Sequence, residues 1–214
     1  MKKKLVLLVV IFALIIPQSI FAGSSDEKIK TKIRYDKAGQ KIGESKISTK
    51  KNKDGEEITI EEKFDNNGHK VGQKISKERE PISLSQTQDV SLKASLNAEP
   101  GWWSANTTGV WDDTSIFGTY EVDVSSYSKS YADSSKSEYA PIDLIYVKTQ
   151  LLIKGTLSTT DSDSNTDASF AIVTFSSETV QDTVWTSLPD FVATSNHKFE
   201  HEGYTNWYPT TEDS

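Results

Sequence analysis

Between Ile145 and Ile153 the chain alternates. Ile145, Val147, Thr149, Leu151 and Ile153 occupy one phase, and Tyr146, Lys148, Gln150 and Leu152 the other. A period of two puts each set on its own face of an extended strand. "TYEVDVSS" and "ASFAIVTFSS" repeat the pattern. No helical period longer than two turns runs through residues 102–214. Clusters of turn formers, "ANTTG", "SSKSEYAP" and "TTDSDSNTD", separate the β-branched runs. Short alternating strands between polar turns predict an antiparallel β-sandwich, and about 110 residues suits one such domain.

A second alternating region precedes it and is built from two copies. "RYDKAGQKIGESKIS" begins at Arg34 and "KFDNNGHKVGQKISK" at Lys63, 29 residues later. The shared pattern is basic–aromatic–Asp–x–x–Gly–x–Lys–Ile/Val–Gly. Asp36 and Asp65 can bond their own downstream backbone, and Gly39 and Gly68 can adopt positive φ, so each copy centres on a turn. Upstream of the turns, Ile29, Thr31, Ile33 and Tyr35 share one face and Lys28, Lys30, Lys32 and Arg34 the other. Ile58, Ile60, Glu62 and Phe64 repeat the scheme. "KNKDGEE" supplies a further turn between the copies. The expectation is a four-stranded antiparallel meander of two hairpins. The units resemble the YD-type hairpin repeats of bacterial surface and toxin proteins, and MORN-type hairpin repeats, on Tyr35/Asp36/Gly39 and Phe64/Asp65/Gly68. That resemblance implies architecture and surface interaction, not chemistry; an ordinary Lys-rich meander reads the same way. No family is recognised for the C-terminal part.

The start, "MKKKLVLLVVIFALIIPQSIFAGSS", has the layout of a secretory signal peptide: three lysines, an apolar run from Leu5 to Ile16, then Pro17 and a small residue at Ala22. The apolar run is 12 residues long, short of the ~20 needed to span a bilayer. The expected organisation is therefore a signal peptide at 1–22, the two-copy hairpin repeat at 23–80, a polar linker at 81–101 with a short strand near Ile82–Leu84, and the sandwich at 102–214. There is no cysteine, so an exported chain relies on its core rather than on disulfides. The composition resembles that of a Gram-positive bacterial secreted protein. The sequon at Asn106 matters only in a glycosylating host.

Charge divides the chain. Residues 24–80 carry 15 Lys/Arg and 12 Asp/Glu, whereas residues 81–214 carry 6 and 19. An acidic second half excludes nucleic acid as its partner, since phosphate contacts need Lys and Arg. The basic row Lys28, Lys30, Lys32 and Arg34 suits a polyanionic cell-wall polymer instead.

Candidate sites are few. "HKFEH", residues 197–201, spells an inverted zinc-peptidase motif. On a strand its two histidines share a face but stand about 13 Å apart at ~3.3 Å per residue, and one zinc ion with bonds of ~2 Å cannot reach both. Asp161, Asp163, Asn165 and Asp167 place oxygens at alternate positions like the start of a calcium loop. Thr166 and Ile172 then stand where an EF-hand needs Gly and Glu, leaving a simpler calcium loop or a solvated hairpin tip. No other cofactor is expected. Five tryptophans serve either as core or as stacking platforms. Trp102 and Trp103 cannot both point inward from one strand; with Trp207 and Tyr208 they form the candidate ligand-binding set. Asp112/Asp113 is an acid pair without a fixed separation, and no G-x-S-x-G elbow, thiol nucleophile, P-loop or dinucleotide fingerprint is present.

These features favour a secreted, non-catalytic, all-β binding protein facing a cell-wall polymer, a carbohydrate or a surface protein. A secreted hydrolase with an unlocated site, and an antibacterial effector or its protective factor, are the alternatives. Amino-terminal sequencing of the protein from culture medium is expected to begin at Gly23; an intact Met1 in the membrane fraction would overturn the export reading.

Overall fold

The computed structural model describes residues 28–35, 39–84, 99–112, 119–180 and 190–214. The export segment, Asp36, Asp113, Trp185 and most of the 81–101 linker lie outside the described residues. The fold is all-β and antiparallel. Its strands are β1 (Lys28–Tyr35), β2 (Lys41–Lys51), β3 (Glu57–Phe64), β4 (Lys70–Arg79), β5 (Trp102–Asp112), β6 (Thr119–Tyr131), β7 (Ile142–Ile153), β8 (Thr156–Ala168), β9 (Phe170–Val180), β10 (Phe191–Glu200) and β11 (Thr210–Asp213).

β1 to β4 form the expected meander, and its turn chemistry is local. The Asp65 carboxylate accepts the backbone N–H groups of Asn67 and His69, both at 2.8 Å. These bonds, that from His69 foremost, hold the carboxyl below its usual pKa. Asn52 performs the same task in the middle turn, accepting from Asp54 at 3.0 Å and Glu56 at 2.9 Å. The end of the repeat motif also has a physical reason. Tyr35 pairs with Lys41 and Arg34 with Gly43, so Ile42 is an extra residue. Likewise Phe64 pairs with Lys70 and Lys63 with Gly72, leaving Val71 as the extra. Each copy therefore carries a β-bulge just after its turn. The glycine that follows admits a close backbone: a Cβ on Gly43 would run into the Phe64 carbonyl oxygen, and one on Gly72 into that of Ser214.

The meander is not a separate body. β4 pairs on one edge with β3 and on the other with both β11 and β5. Lys74 stands opposite Asp213, whereas Lys77 stands opposite Ala105 and Arg79 opposite Trp103. Residues 74 and 77 point to opposite sides of β4, yet Asp213, Ala105 and Trp103 are all buried. The sheet thus forks at β4. One arm runs β11–β10–β7–β8, the other β5–β6–β9, and the core fills the space between them. The boundary drawn at residue 80 falls at the end of a strand that both parts share. β4 and β5, the strands on either side of the 81–101 segment in the sequence, are neighbours in the sheet. The expected short strand near Ile82–Leu84 is a single bridge, Ser83 with Tyr204.

The alternation in β7 reads correctly: Ile145, Val147, Thr149, Leu151 and Ile153 all face the core. One apolar cluster gathers Trp103, Ile145, Val147, Val173 and Phe199 at one end, and another Val122, Val124, Leu151, Phe191 and Ala193 at the other. The other arm edge is closed by side chains. The Asp163 carboxylate of β8 accepts the Ile172 N–H of β9 at 2.8 Å, and Asn165 Nδ2 donates to the Phe170 carbonyl at 3.0 Å.

Where the arms meet β4, the Asp213 carboxylate accepts from Lys63 Nζ and, at 3.0 Å, from the Gly109 N–H. Asp213 is buried. Removing one partner of a buried pair leaves an uncompensated charge and costs roughly 3–5 kcal/mol. Asp213→Asn is expected to lower the unfolding free energy by about 3 kcal/mol. Meander and sandwich are expected to unfold in one transition in urea, followed by both far-UV circular dichroism and tryptophan fluorescence; two separated transitions would refute the shared-strand architecture.

Candidate ligand-binding face

The "HKFEH" histidines part company. His197 sits in β10 facing the core and is buried. His201 lies just past the strand end, stacked on Tyr204 at 5.5 Å with Nδ1 3.2 Å from the Asp143 carboxylate. His197 belongs to a polar layer between the two apolar clusters, together with the buried Thr107, Ser126, Ser128, Thr149, Ser195 and Thr211. Ser195 Oγ lies 2.6 Å from Thr107 Oγ1, 2.9 Å from Ser126 Oγ and 3.0 Å from Thr149 Oγ1. Thr211 Oγ1 lies 2.6 Å from Thr107 Oγ1 and 2.8 Å from His197 Nε2. Ser128 Oγ donates to the Tyr146 carbonyl at 2.7 Å. Its contact of 2.9 Å with the ring is then a bond donated by His197 Nδ1–H, leaving Nε2 to accept from the Thr211 hydroxyl. The imidazole is neutral: burial, with Lys77 adding repulsion, pushes its pKa down to about 3. The layer is structural, with every ring nitrogen satisfied inside the core.

The "DSDSNTD" residues are not at a hairpin tip. Asp161, Asp163, Asn165 and Asp167 lie along β8, where alternate residues are spread at ~6.6 Å intervals. Asp163 and Asn165 are engaged with β9 as described. Among the described residues no three His, Cys, Asp or Glu side chains are grouped to hold a metal ion.

The predicted aromatic set is likewise dispersed. Trp103 is 0% and Trp207 4% exposed. Both stack in the core with Phe199, at ring-centroid distances of 5.5 Å and 5.0 Å respectively, because both side chains fall on the inward phase of the arms. The Trp207 indole N–H reaches Glu56 of the meander at 2.6 Å. Tyr208 is exposed on its own, donating to Glu200 at 2.8 Å. Trp102 alone of the tryptophan pair faces outward, as the parity argument requires.

Trp102 leads to a different grouping. The register places Trp102 opposite Tyr131, Lys129 opposite Phe170, and Tyr127 opposite Ile172. All lie on the outer face of the β5–β6–β9 arm. Tyr139 stacks on Tyr131 at 5.0 Å and 18°, and Phe170 leans on Tyr139 at 6.3 Å. Lys129 Nζ sits 4.3 Å above the Tyr127 ring. Tyr139, Phe170 and Ile172 are 49%, 48% and 43% exposed. At one edge Glu78 accepts from Trp102 Nε1 at 3.3 Å and Ser104 Oγ at 2.8 Å, and pairs with Lys136. Burial, reinforced by Tyr139, raises the Tyr131 hydroxyl to about 12, and burial raises Tyr127. Both phenols therefore stay neutral. The face offers several rings, one stacked ammonium and neutral hydroxyls.

Sequence reasoning missed Tyr127, Tyr131, Tyr139 and Phe170. The readable signal was phase: in "TYEVDVSSYSKSY" the valines and serines at even positions point inward, so Tyr127, Lys129 and Tyr131 point outward.

No protein-family model, curated protein or solved structure matches the chain. The fold and its outer face define a two-armed antiparallel β protein with an exposed aromatic surface.

The neutral His197 generates a pH prediction. Its ordinary pKa of 6.5 in the unfolded chain lies above its folded value of about 3, so the unfolded state binds the extra proton. This contribution to stability is complete above pH 6.5 and is lost as pH falls toward 3, at roughly 1.4 kcal/mol per pH unit. His197→Gln should flatten that dependence. Parallel stability curves for variant and wild type between pH 7 and 4 would overturn the assignment.

Proposed function

We propose that the protein is a secreted, non-catalytic binding protein that docks on a neutral glycan surface through the outer face of β5, β6 and β9. The observation carrying this reading is the pair Tyr139 and Phe170, half open to solvent over the buried Tyr131 and beside the Lys129–Tyr127 pair. Isolated apolar residues on a surface are ordinary, whereas a contiguous aromatic group marks an interaction site. Sugar rings present C–H faces for stacking and hydroxyls for the flanking Asn106 and Lys129. The net charge also selects: the face belongs to the acidic 81–214 region, which repels polyanions at long range.

A second contact is favoured by the meander. Lys30 and Lys32 are exposed on β1, while Lys63 and Lys74 are engaged with Asp213 and Thr108. The exposed Lys30 and Lys32 can hold a polyanionic wall polymer, in a contact that weakens as salt shortens the Debye length from ~10 Å at 0.1 M to ~3 Å at 1 M.

Tyr139→Ala and Phe170→Ala should each leave thermal stability within about 0.5 kcal/mol of wild type, as surface changes do. Each should weaken sedimentation with insoluble neutral polysaccharide or purified wall about tenfold, the scale of a lost anchor residue. Unchanged retention in the double variant would refute this face as the docking surface.

A further inference from the structure

Three buried polar atoms on the inner face of β4, β5 and β6 have no hydrogen-bond partner: Nη2 of Arg79, Nε1 of Trp103 and Oγ of Ser130. They are not scattered. Arg79 is opposite Trp103 across β4–β5, and Trp103 is opposite Ser130 across β5–β6. The three form one cross-strand row, in which directly opposed Cβ atoms stand ~4.5–5.5 Å apart. Arg79 is 6% exposed, and Trp103 and Ser130 are fully buried.

The chemistry of the row is one-sided. An indole N–H only donates, a guanidinium only donates and never loses its charge, and the hydroxyl can donate. Among the described residues, the one bond the guanidinium makes runs from Nε to the Glu80 carbonyl at 3.2 Å, and no carboxylate pairs with it. The neighbouring acid, Glu78, is on the opposite side of β4 and is spent on Trp102, Ser104 and Lys136. A buried cation without a counter-charge is among the most unfavourable groups a core can hold, and buried donors are nearly always satisfied. A water molecule would meet the donors but leave the charge uncompensated. A group carrying both negative charge and several acceptor oxygens meets both needs, and guanidinium is the side chain best shaped to receive one.

We infer that the Arg79–Trp103–Ser130 row is a binding site for a small oxyanion, a carboxylate or a phosphate group. The site is independent of the glycan-docking face: it lies on the inner side of the same arm, beside the Ser83–Tyr204 bridge that ties β4's continuation to the β10–β11 connection.

The test uses the full secreted chain, with sodium phosphate or sodium acetate titrated against sodium chloride at constant ionic strength. In the wild type the unfolding midpoint should rise with one of the two oxyanions, following the mass-action stabilisation of a native-state ligand. Acetate acting alone identifies a carboxylate site and phosphate acting alone a phosphate site. The rise should vanish in Arg79→Met and shrink in Ser130→Ala. In chloride buffer Arg79→Met should be no less stable than wild type, because it removes an uncompensated buried charge. A second reading is independent of the Arg79 and Ser130 variants. The Trp103 indole N–H resonance, assigned through Trp103→Phe, should shift saturably as the oxyanion is added to the wild type. No oxyanion effect beyond chloride on either the midpoint or the resonance would overturn the site, as would a stabilisation that persists in Arg79→Met.

Discussion

One strand edge carries the architecture. β4 offers a single row of backbone groups to two strands in succession, β11 through Lys74 and Ile75 and β5 through Lys77 to Arg79. A sheet edge normally continues into one sheet. Dividing it forces the two neighbours apart, and side chains from opposite sides of β4 then face one core. The division needs pinning, because each partner has only two or three residues of ladder. Asp213 supplies the pin. It ties the last strand to Lys63 of the meander and to the Gly109 backbone of the other arm, so a single carboxylate contacts all three branches of the fork. The nearby Lys74 ammonium, held below its usual pKa by burial against the pull of Asp213 and Glu61, marks how little solvent reaches this junction.

The core that the arms enclose is unusual for a chain without disulfides. Its middle is a layer of hydroxyls and one imidazole rather than aliphatic side chains. Such a layer is tolerable only when its members satisfy one another, since a half-satisfied network is worse than an apolar core. Here Ser195 collects three hydroxyl neighbours and His197 is bonded at both nitrogens. These bonds are directional where apolar contacts are not. They fix the register of β10 against β5 and β6 across the gap between the arms, where no backbone ladder joins these strands. The aromatic stack of Trp103, Phe199 and Trp207 anchors one end of this layer. Through the Trp207–Glu56 bond it also holds the middle turn of the meander down.

Much of this was legible in the residues and some was not, for reasons that divide cleanly. Alternation reports local backbone phase. The inward set of β7, the two repeat hairpins and the outward turn of Trp102 against Trp103 could therefore be read directly. Alternation does not report which strands become neighbours. Composition changes at residue 80, yet β4, which ends just before it, pairs with strands on both sides of that change. Composition also misled at "DSDSNTD". Clustered Asp, Ser and Asn usually mark a loop, whereas here they extend an edge strand whose polar side chains replace a missing backbone partner, Asp163 for the Ile172 N–H and Asn165 for the Phe170 carbonyl. Trp103 and Trp207 of the expected ligand-binding set lie in the core for a related reason. Tryptophan content shows that large rings must go somewhere, but only the pairing of β10 with β7 and β11 shows that the inside of the fork has room for them.

The outer aromatic face follows from the same phase argument once strand neighbours are known. Tyr127 and Tyr131 lie in the phase opposite Val122 and Val124, so they cannot enter the core. Leaving them bare would expose two large rings. β9 and the residue 139 segment bring Phe170 and Tyr139 alongside, and the rings cover one another only in part, with Tyr131 buried and Tyr139 half open. A sequence needing only a stable outer surface would place Thr, Lys or Glu at these positions, as Thr160 and Thr166 of β8 and Thr174 of β9 do. Partial burial orients the open rings without closing them off. A ring held against a neighbour has already lost its rotamer freedom, so a ligand stacking on it meets a smaller ordering cost. Under the proposed binding role, the features that make this face awkward as a surface are those that would prepare it as a docking platform.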